Sequence, residues 1–355
     1  MVEDGINEGT FGLHDVSKGK SYCIHKKCLV NRFWIGGKDD WIVISDNRCS
    51  MNLINLLDGD SVPLPLLSTI DGVEINQHYD LEIVTKSCVR RLRRVVLCRT
   101  PLSSLGHAAI ALFDDGLIAY TSKSEKAWKL LVHPTEWSGC LMYFPEVYLD
   151  ALVHKRRIVA VDEEGDIFSW DIYHHRKYPL RIMKPDIPAI EGCNEEVFYF
   201  AKSPLDELIL ISMHGKGATS YMPSYRVVES EHNRFDHISA MIMHKFDDSD
   251  GTWQRICRVG LGQSLFLGLN YPFFGSWSGL KPNSVYVANV AHNDVMIIGM
   301  GSEADVGIKM QDYPIKDGFR LLDGHSMRTP MWFRPKRPSA RRIEDLSSVF
   351  TFGAA

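Results

Sequence analysis

A chain of 355 residues has room for one large domain or two ordinary ones. Its 45% hydrophobic and 24% charged residues are those of a folded polypeptide and exclude a disordered or collagen-like polymer. Forty basic against 44 acidic residues leave a formal charge of −4, without the basic excess of a dedicated nucleic-acid binder, so no nucleic-acid partner is expected.

No run approaches the roughly 18 apolar residues that a membrane-crossing helix needs, so no membrane partner is expected either. The opening Met1-Val2-Glu3-Asp4-Gly5 has the character of neither a signal nor a transit peptide. Eight cysteines are scattered without paired spacing, and no Asn-x-Ser/Thr acceptor occurs. Reduced thiols and a cytoplasmic or nuclear location are therefore expected. The segment Arg334-Pro335-Lys336-Arg337-Pro338-Ser339-Ala340-Arg341-Arg342 is read as a solvated basic tail, with a nuclear-import signal as the alternative.

In chain order, the local signal is the short strand. Val43-Ile44, Ala109 to Phe113, Ile158 to Val161, Leu208 to Ile211, Val285 to Val287 and Val295 to Ile298 are brief apolar runs rich in β-branched and aromatic residues. Turn chemistry bounds them at Asp114-Asp115-Gly116, Asp162 to Gly165, Asp248 to Gly251 and His292-Asn293-Asp294. The only helical candidate is short, Arg341 to Val349.

Turns near residues 115, 164, 205, 249 and 293 recur at intervals of 41 to 49 residues. All-β structure with such a period predicts a β-propeller of four-stranded blades. Neither face of such a sheet can be covered by the sheet itself, so blades lean on one another. Trp41, Trp128, Trp170 and Trp253 sit at strand edges, where a large flat ring packs between blades. Grouping strands in fours gives five blades, beginning near Cys28, Val95, Ala151, Val197 and Leu265. A sixth would join Thr10–His14 and Ser21–Ile24 to Phe319–Leu322 and Met331–Phe333, closing the ring through both ends. Six blades are expected, seven being the alternative count and a pair of β-sandwiches the alternative architecture. The domain division is a tail at 1–9, the propeller at 10–335 and a basic tail at 336–355.

Motifs for chemistry are sparse. Gly299-Met300-Gly301-Ser302-Glu303-Ala304 fits the dinucleotide-binding pattern, but Pro314 follows where a crossover helix would run, and a glycine turn is the better reading. Cys23, His25 and Cys28 lack a second ligand pair for zinc. Trp277 stands where the nucleophile of a G-x-S-x-G elbow belongs in Gly275 to Gly279. No catalytic, cofactor or metal residue is assigned, and no cofactor is expected. The run Arg90-Arg91-Leu92-Arg93-Arg94 is read as a solvated loop beside a strand. One stretch invites a binding role. Tyr271, Phe273, Phe274 and Trp277 form the candidate protein-binding loop if their rings are exposed on the rim, the alternative being that they pack into the core or cover the central channel.

The segments Trp41 to Asp46, Leu53 to Gly59 and Val62 to Pro65 resemble the plant KIB-type β-propeller family, known also as domain of unknown function 295. So do Lys126 to Leu131, Asp150 to Lys155 leading to Ala160-Val161-Asp162 and Gly165, Leu261 to Gly268, Gly279 to Tyr286, and Met331 to Phe333. The pattern departs where the family's proline after Asn55 is Leu56, and where its third-blade glycine is Arg156 or Arg157. The resemblance implies a substrate-recognising propeller of the ubiquitin pathway, F-box-associated in many relatives. Some nine residues precede the first strand, so the F-box itself is expected to be absent and a ubiquitin-ligase scaffold is an uncertain partner. The resulting expectation is a non-enzymatic, monomeric interaction protein with an unidentified protein client. The alternative is an enzyme or small-molecule binder working at the mouth of the central channel, marked by converging ionisable groups.

Overall fold

The computed structural model describes residues 10–15, 20–30, 32–46, 49–70, 73–75, 82–85, 89–114, 116–131, 147–174, 179–193, 195–217, 235–260, 262–277, 279–289, 294–300, 309–313, 331–334 and 350–354. Two strands at the start, β1 (Thr10–Asp15) and β2 (Lys20–His25), precede the first blade. Blade 1 is β3 (Phe33–Lys38), β4 (Trp41–Ser45), β5 (Met51–Asn55) and β6 (Ser61–Pro63). Blade 2 is six-stranded: β7 (Val73–Ile75) and β8 (Glu82–Thr85) precede β9 (Val89–Arg99), β10 (Ala108–Phe113), β11 (Ile118–Ser122) and β12 (Lys129–Leu130). Blade 3 holds β13 (Tyr148–His154), β14 (Arg157–Asp162), β15 (Ile167–Asp171) and β16 (Leu180–Ile182). Blade 4 holds β17 (Glu195–Lys202), β18 (Leu208–Gly217), β19 (Phe235–Asp247) and β20 (Thr252–Ile256). Blade 5 comprises β21 (Ser264–Leu267), β22 (Phe273–Gly275), β23 (Ser284–Asn289), β24 (Asp294–Gly299) and β25 (Lys309–Tyr313). Last come β26 (Met331–Phe333) and β27 (Phe350–Ala354).

The strands read as unbroken apolar runs because both faces of a blade are covered. In β10 and β11, Ala109, Ala111, Phe113 and Ala119 pack toward blade 1 with Trp41, Val43 and Leu53. The alternate residues Ile110, Leu112, Ile118 and Tyr120 pack toward blade 3 with Leu152, Ile158 and Trp170. Period-two alternation thus divides one sheet between two cores.

Continuous chain forms five blades, not six or seven, and the strands of the two ends make a separate composite sheet in the order β2-β1-β27-β26. Antiparallel pairing of Phe11–Asp15 with Phe350–Ala354 joins the termini. The third strand of this sheet is therefore Phe350–Ala354, whereas the expected Phe319–Leu322 lies outside the described residues. The propeller accordingly runs past residue 335 to Ala354, and the tail boundary moves with it. The short helix expected at 341–349 also lies outside the described residues.

The sequence period was partly a coincidence. Turns near 205 and 249 belong to the same blade, one joining β17 to β18 and the other β19 to β20. Blade 5 departs from the all-antiparallel pattern as well. Its chain doubles back through β22, which pairs on the axis-facing side of β21, so that β21 and β23 run parallel.

Innermost strands touch in order around an axis: β3 beside β9, β9 beside β13, β13 beside β17, β17 beside β22, and β26 beside β3. The approach of β3 to β9 needs Gly36, since a Cβ there would overlap the Val95 carbonyl oxygen. Indole donors fasten the blades. Trp128 Nε1 donates to Pro65 O at 2.8 Å, Trp253 Nε1 to Met183 O at 2.8 Å, and Trp332 Nε1 to Leu267 O at 2.6 Å. Each acceptor belongs to the neighbouring, earlier blade. In the first two cases it follows that blade's outer strand, and the repetition explains why large indoles recur near strand edges.

Replacing Gly36 with Ala should cost about 1–3 kcal/mol or more in urea unfolding, because backbone cannot yield as a flexible side chain would. Gly299→Ala, where a Cβ meets nothing within 4 Å, is the control and should change stability by less than about 1 kcal/mol.

Candidate interaction face

The axis is filled rather than open where the inner strands converge. Arg94 on β9 lies 3.2 Å from Asp150 Oδ1 on β13, and both side chains are buried, at 0% and 1% exposure. Asp150 Oδ1 also accepts from Ala151 N at 2.8 Å, and Oδ2 accepts from Phe200 N on β17 at 2.8 Å. Arg94 Nη2 donates to Asn270 O of blade 5 at 3.4 Å, and Asn270 Oδ1 accepts from Trp332 N of the composite sheet at 2.9 Å. Tyr271 N donates to Gly37 O of blade 1 at 2.8 Å. A single connected set of polar contacts therefore touches all six sheets.

The basic run 90–94 is not a solvated loop. It lies within β9, where Arg93 and Arg94 are 6% and 0% exposed. The register shift opposite Leu112 and Phe113 gives Arg93 no cross-strand partner on β10, and its Nη1 reaches Tyr148 O at 3.4 Å. Ionisable groups do converge on the axis, yet they are turned inward. Burial pushes the Asp150 carboxyl above its ordinary value, opposed by Arg94 and by the N–H groups of Phe200 and Ala151. Burial likewise lifts the Cys98 thiol to about 11 and the Tyr271 hydroxyl well above its usual value.

The aromatic stretch is core. Tyr271, Phe273 and Phe274 are buried and Trp277 is half-buried, so the exposed rim on which a binding role depended does not exist for three of the four rings. Phe273 stacks on Phe266 at 5.0 Å between centroids, Trp277 meets Phe266 edge-on at 5.6 Å, and Trp332 meets it at 5.0 Å. Lys38 Nζ sits 3.2 Å over the Tyr271 ring. Arg334 completes the seam: it pairs with Asp39 and lies 4.7 Å over the Phe273 ring. The four residues thus hold blade 5, blade 1 and the composite sheet together.

Exposed apolar side chains lie elsewhere. In each antiparallel blade the turns after the first and third strands share one end of the ring. That end carries Leu102 and Leu105 between β9 and β10, Tyr173 between β15 and β16, and Leu205 between β17 and β18. Two of these turns are built alike. Thr100-Pro101-Leu102-Ser103 and Ser203-Pro204-Leu205-Asp206 each close with an N–H of the fourth residue on the carbonyl of the first, at 3.0 and 2.9 Å. Proline fixes the second position, and leucine at the third is thrust into solvent. The repeated Ser/Thr-Pro-Leu after a strand is the sequence signal that could have marked this face. A latch ties blades 3 and 4 on it: His154 Nε2 and Lys155 Nζ reach Asp248 at 2.9 and 2.7 Å. Partial burial works to raise the Asp248 carboxyl, but these two bonds outweigh it and hold it below the usual value.

Other candidate motifs resolve as structure. Antiparallel β24 and β25 flank Gly299 to Ala304, which excludes the parallel crossover of a dinucleotide fold there; residues 301–304 lie outside the described set. Trp170 packs edge-on against Tyr148 at 5.7 Å. Among the described residues no group of three or more His, Cys, Asp or Glu side chains could hold a metal ion, and no helix is long and apolar enough to cross a membrane.

Residues 12–308 match the family described as KIB1-4 beta-propeller. The β-propeller domain of Cps50 (Swd1) from Myceliophthora thermophila is 11% identical, with a TM-score of 0.39 over 87% of this chain and 81% of that one. YCF48 from Cyanidioschyzon merolae is 8% identical, with a TM-score of 0.38 over 79% and 71%. No curated protein sequence matches the chain.

Asp150→Ala should cost about 3–5 kcal/mol in urea unfolding and exceed the cost of Arg94→Met, because the carboxylate also serves two backbone donors and its loss strands a buried guanidinium. Stability should also fall as pH drops below about 6.5. Burial holds His107, His214 and His244 below that value in the folded chain, so the unfolded chain binds protons first. Urea midpoints between pH 7.5 and 5 check this.

Proposed function

The chain belongs to the KIB1-4 β-propeller family, and from that premise we propose a non-enzymatic interaction protein that presents one end of its ring to another protein. The observation that carries this reading is the division of chemistry between axis and rim. Ionisable groups at the axis are buried and engaged with each other, whereas large apolar side chains stand in solvent on rigid turns. A reacting group must touch its substrate, and Arg94 and Asp150 have no surface to do so. Short hairpin turns on a stiff ring hold an exposed leucine in place at little entropic cost, which favours association with a protein surface.

By its likeness to F-box-associated relatives, the client would be a protein selected for ubiquitination. Affinity capture with the intact chain from an extract of its source tissue, followed by mass spectrometry, tests both levels. Specific protein partners are expected. Ubiquitin-ligase scaffold subunits among them would support the finer reading, their absence beside other partners would remove it, and a clean lack of any partner would sink the interaction role.

A further inference from the structure

One sector of the turn-bearing end, over blades 2 and 3, combines apolar and cationic groups. Leu102, Leu105 and Tyr173 are 46%, 69% and 68% exposed. The latch between blades 3 and 4 shows how neighbouring turns stand, the first turn of one blade reaching the last turn of the next. The corresponding pair one blade earlier is the Leu102–Leu105 loop, the first turn of blade 2, and the turn that carries Tyr173, the last of blade 3, both at this end of the ring. Arg156 lies 5.7 Å over the Tyr173 ring.

Cations stand on or beside the same turns. The Lys123 side chain lies across Gly106 in the leucine-bearing loop. Lys123 and Arg99 both bear on His107, whose pKa falls through burial first and then through these two charges. Lys126 is exposed on the next turn of the same blade. Among the described residues none of Arg99, Lys123, Lys126 and Arg156 has a carboxylate partner, and Arg99 Nε has no hydrogen-bond partner. The local carboxylates are occupied: Glu125 accepts from Lys129 Nζ at 2.6 Å, and Asp171 caps the Tyr173 N–H at 2.8 Å.

We propose that this sector docks an acidic peptide segment of a partner protein, with leucine or aromatic side chains on Leu102, Leu105 and Tyr173 and carboxylates on Arg99, Lys123, Lys126 and Arg156. The inference rests on the interaction role proposed above and gives it a place and a partner chemistry. Charge favours it. The chain as a whole is acidic at −4, so this sector is a local exception suited to a short anionic segment rather than to a membrane or a nucleic-acid strand.

Panning a random dodecapeptide phage library on the intact chain, then measuring synthetic labelled peptides by fluorescence polarisation, provides the test. Enriched sequences should cluster Asp and Glu around Leu, Phe or Trp. Their affinity should fall at least tenfold in K123E/R156E and at least fivefold in L102S/L105S, and should weaken as salt rises from 50 to about 300 mM. Thermal midpoints of both variants guard against unfolding, and K126E serves if either is unstable. Enrichment of neutral or basic peptides, no enrichment, or affinities within twofold of wild type in every variant would overturn the proposal. So would variant-sensitive binding to phosphatidylserine vesicles or single-stranded RNA without peptide binding. Proteins captured from extract equally by wild type and K123E/R156E would overturn the docking site alone and leave the interaction role standing.

Discussion

The buried pairing of Arg94 with Asp150 is the contact on which the ring depends. Each blade could lean on its neighbours through apolar contact alone, but that contact is non-directional and does not set how many sheets meet or at what angle. The carboxylate at the axis adds direction. It takes one donor from blade 2, one from its own strand and one from blade 4, while the guanidinium passes the connection to blade 5. Burying two charges costs several kcal/mol per ion unless each is fully engaged, so the arrangement is stable only when all the inner strands stand in place.

A second layer of constraint lies further out. Indole donors from three sheets bond to the main chain of the preceding sheet, and Phe266 gathers Phe273, Tyr286, Trp277 and Trp332 around one ring. These aromatic contacts are dense where the composite sheet meets blade 5, at Phe266, Tyr286 and Trp332.

Much of the architecture was legible because β-strands buried on both faces leave an unmistakable pattern of short apolar runs between Asp/Gly turns. The groupings for blades 3 and 4 follow the observed strands closely, and the closing role of Thr10–His14, Ser21–Ile24 and Met331–Phe333 was visible too. What failed was inference from local chemistry to environment. Arg93 and Arg94 look solvated in a window of five residues, yet a strand at the hub turns them inward toward partners 55 or more residues away. The aromatic run 271–277 stayed open between rim and core for the complementary reason. Four rings between two strands suggest a surface anchor until β22 is seen to add itself to the sheet. Leu102 and Leu205 were overlooked because a single leucine in a turn carries no pattern unless the two turns are set side by side.

Joining first and last strands in one sheet has a consequence for synthesis of the chain. Until the ribosome releases residues 350–354, β1 has an open hydrogen-bonding edge opposite the one β2 covers, and five nascent blades wait on a partner not yet made. Such an edge is a template for pairing with other polypeptides, so newly made chains call for chaperone protection until that strand is synthesised. Deleting residues 350–354 would leave that edge of β1 open permanently, making this five-residue strand a determinant of solubility out of proportion to its length.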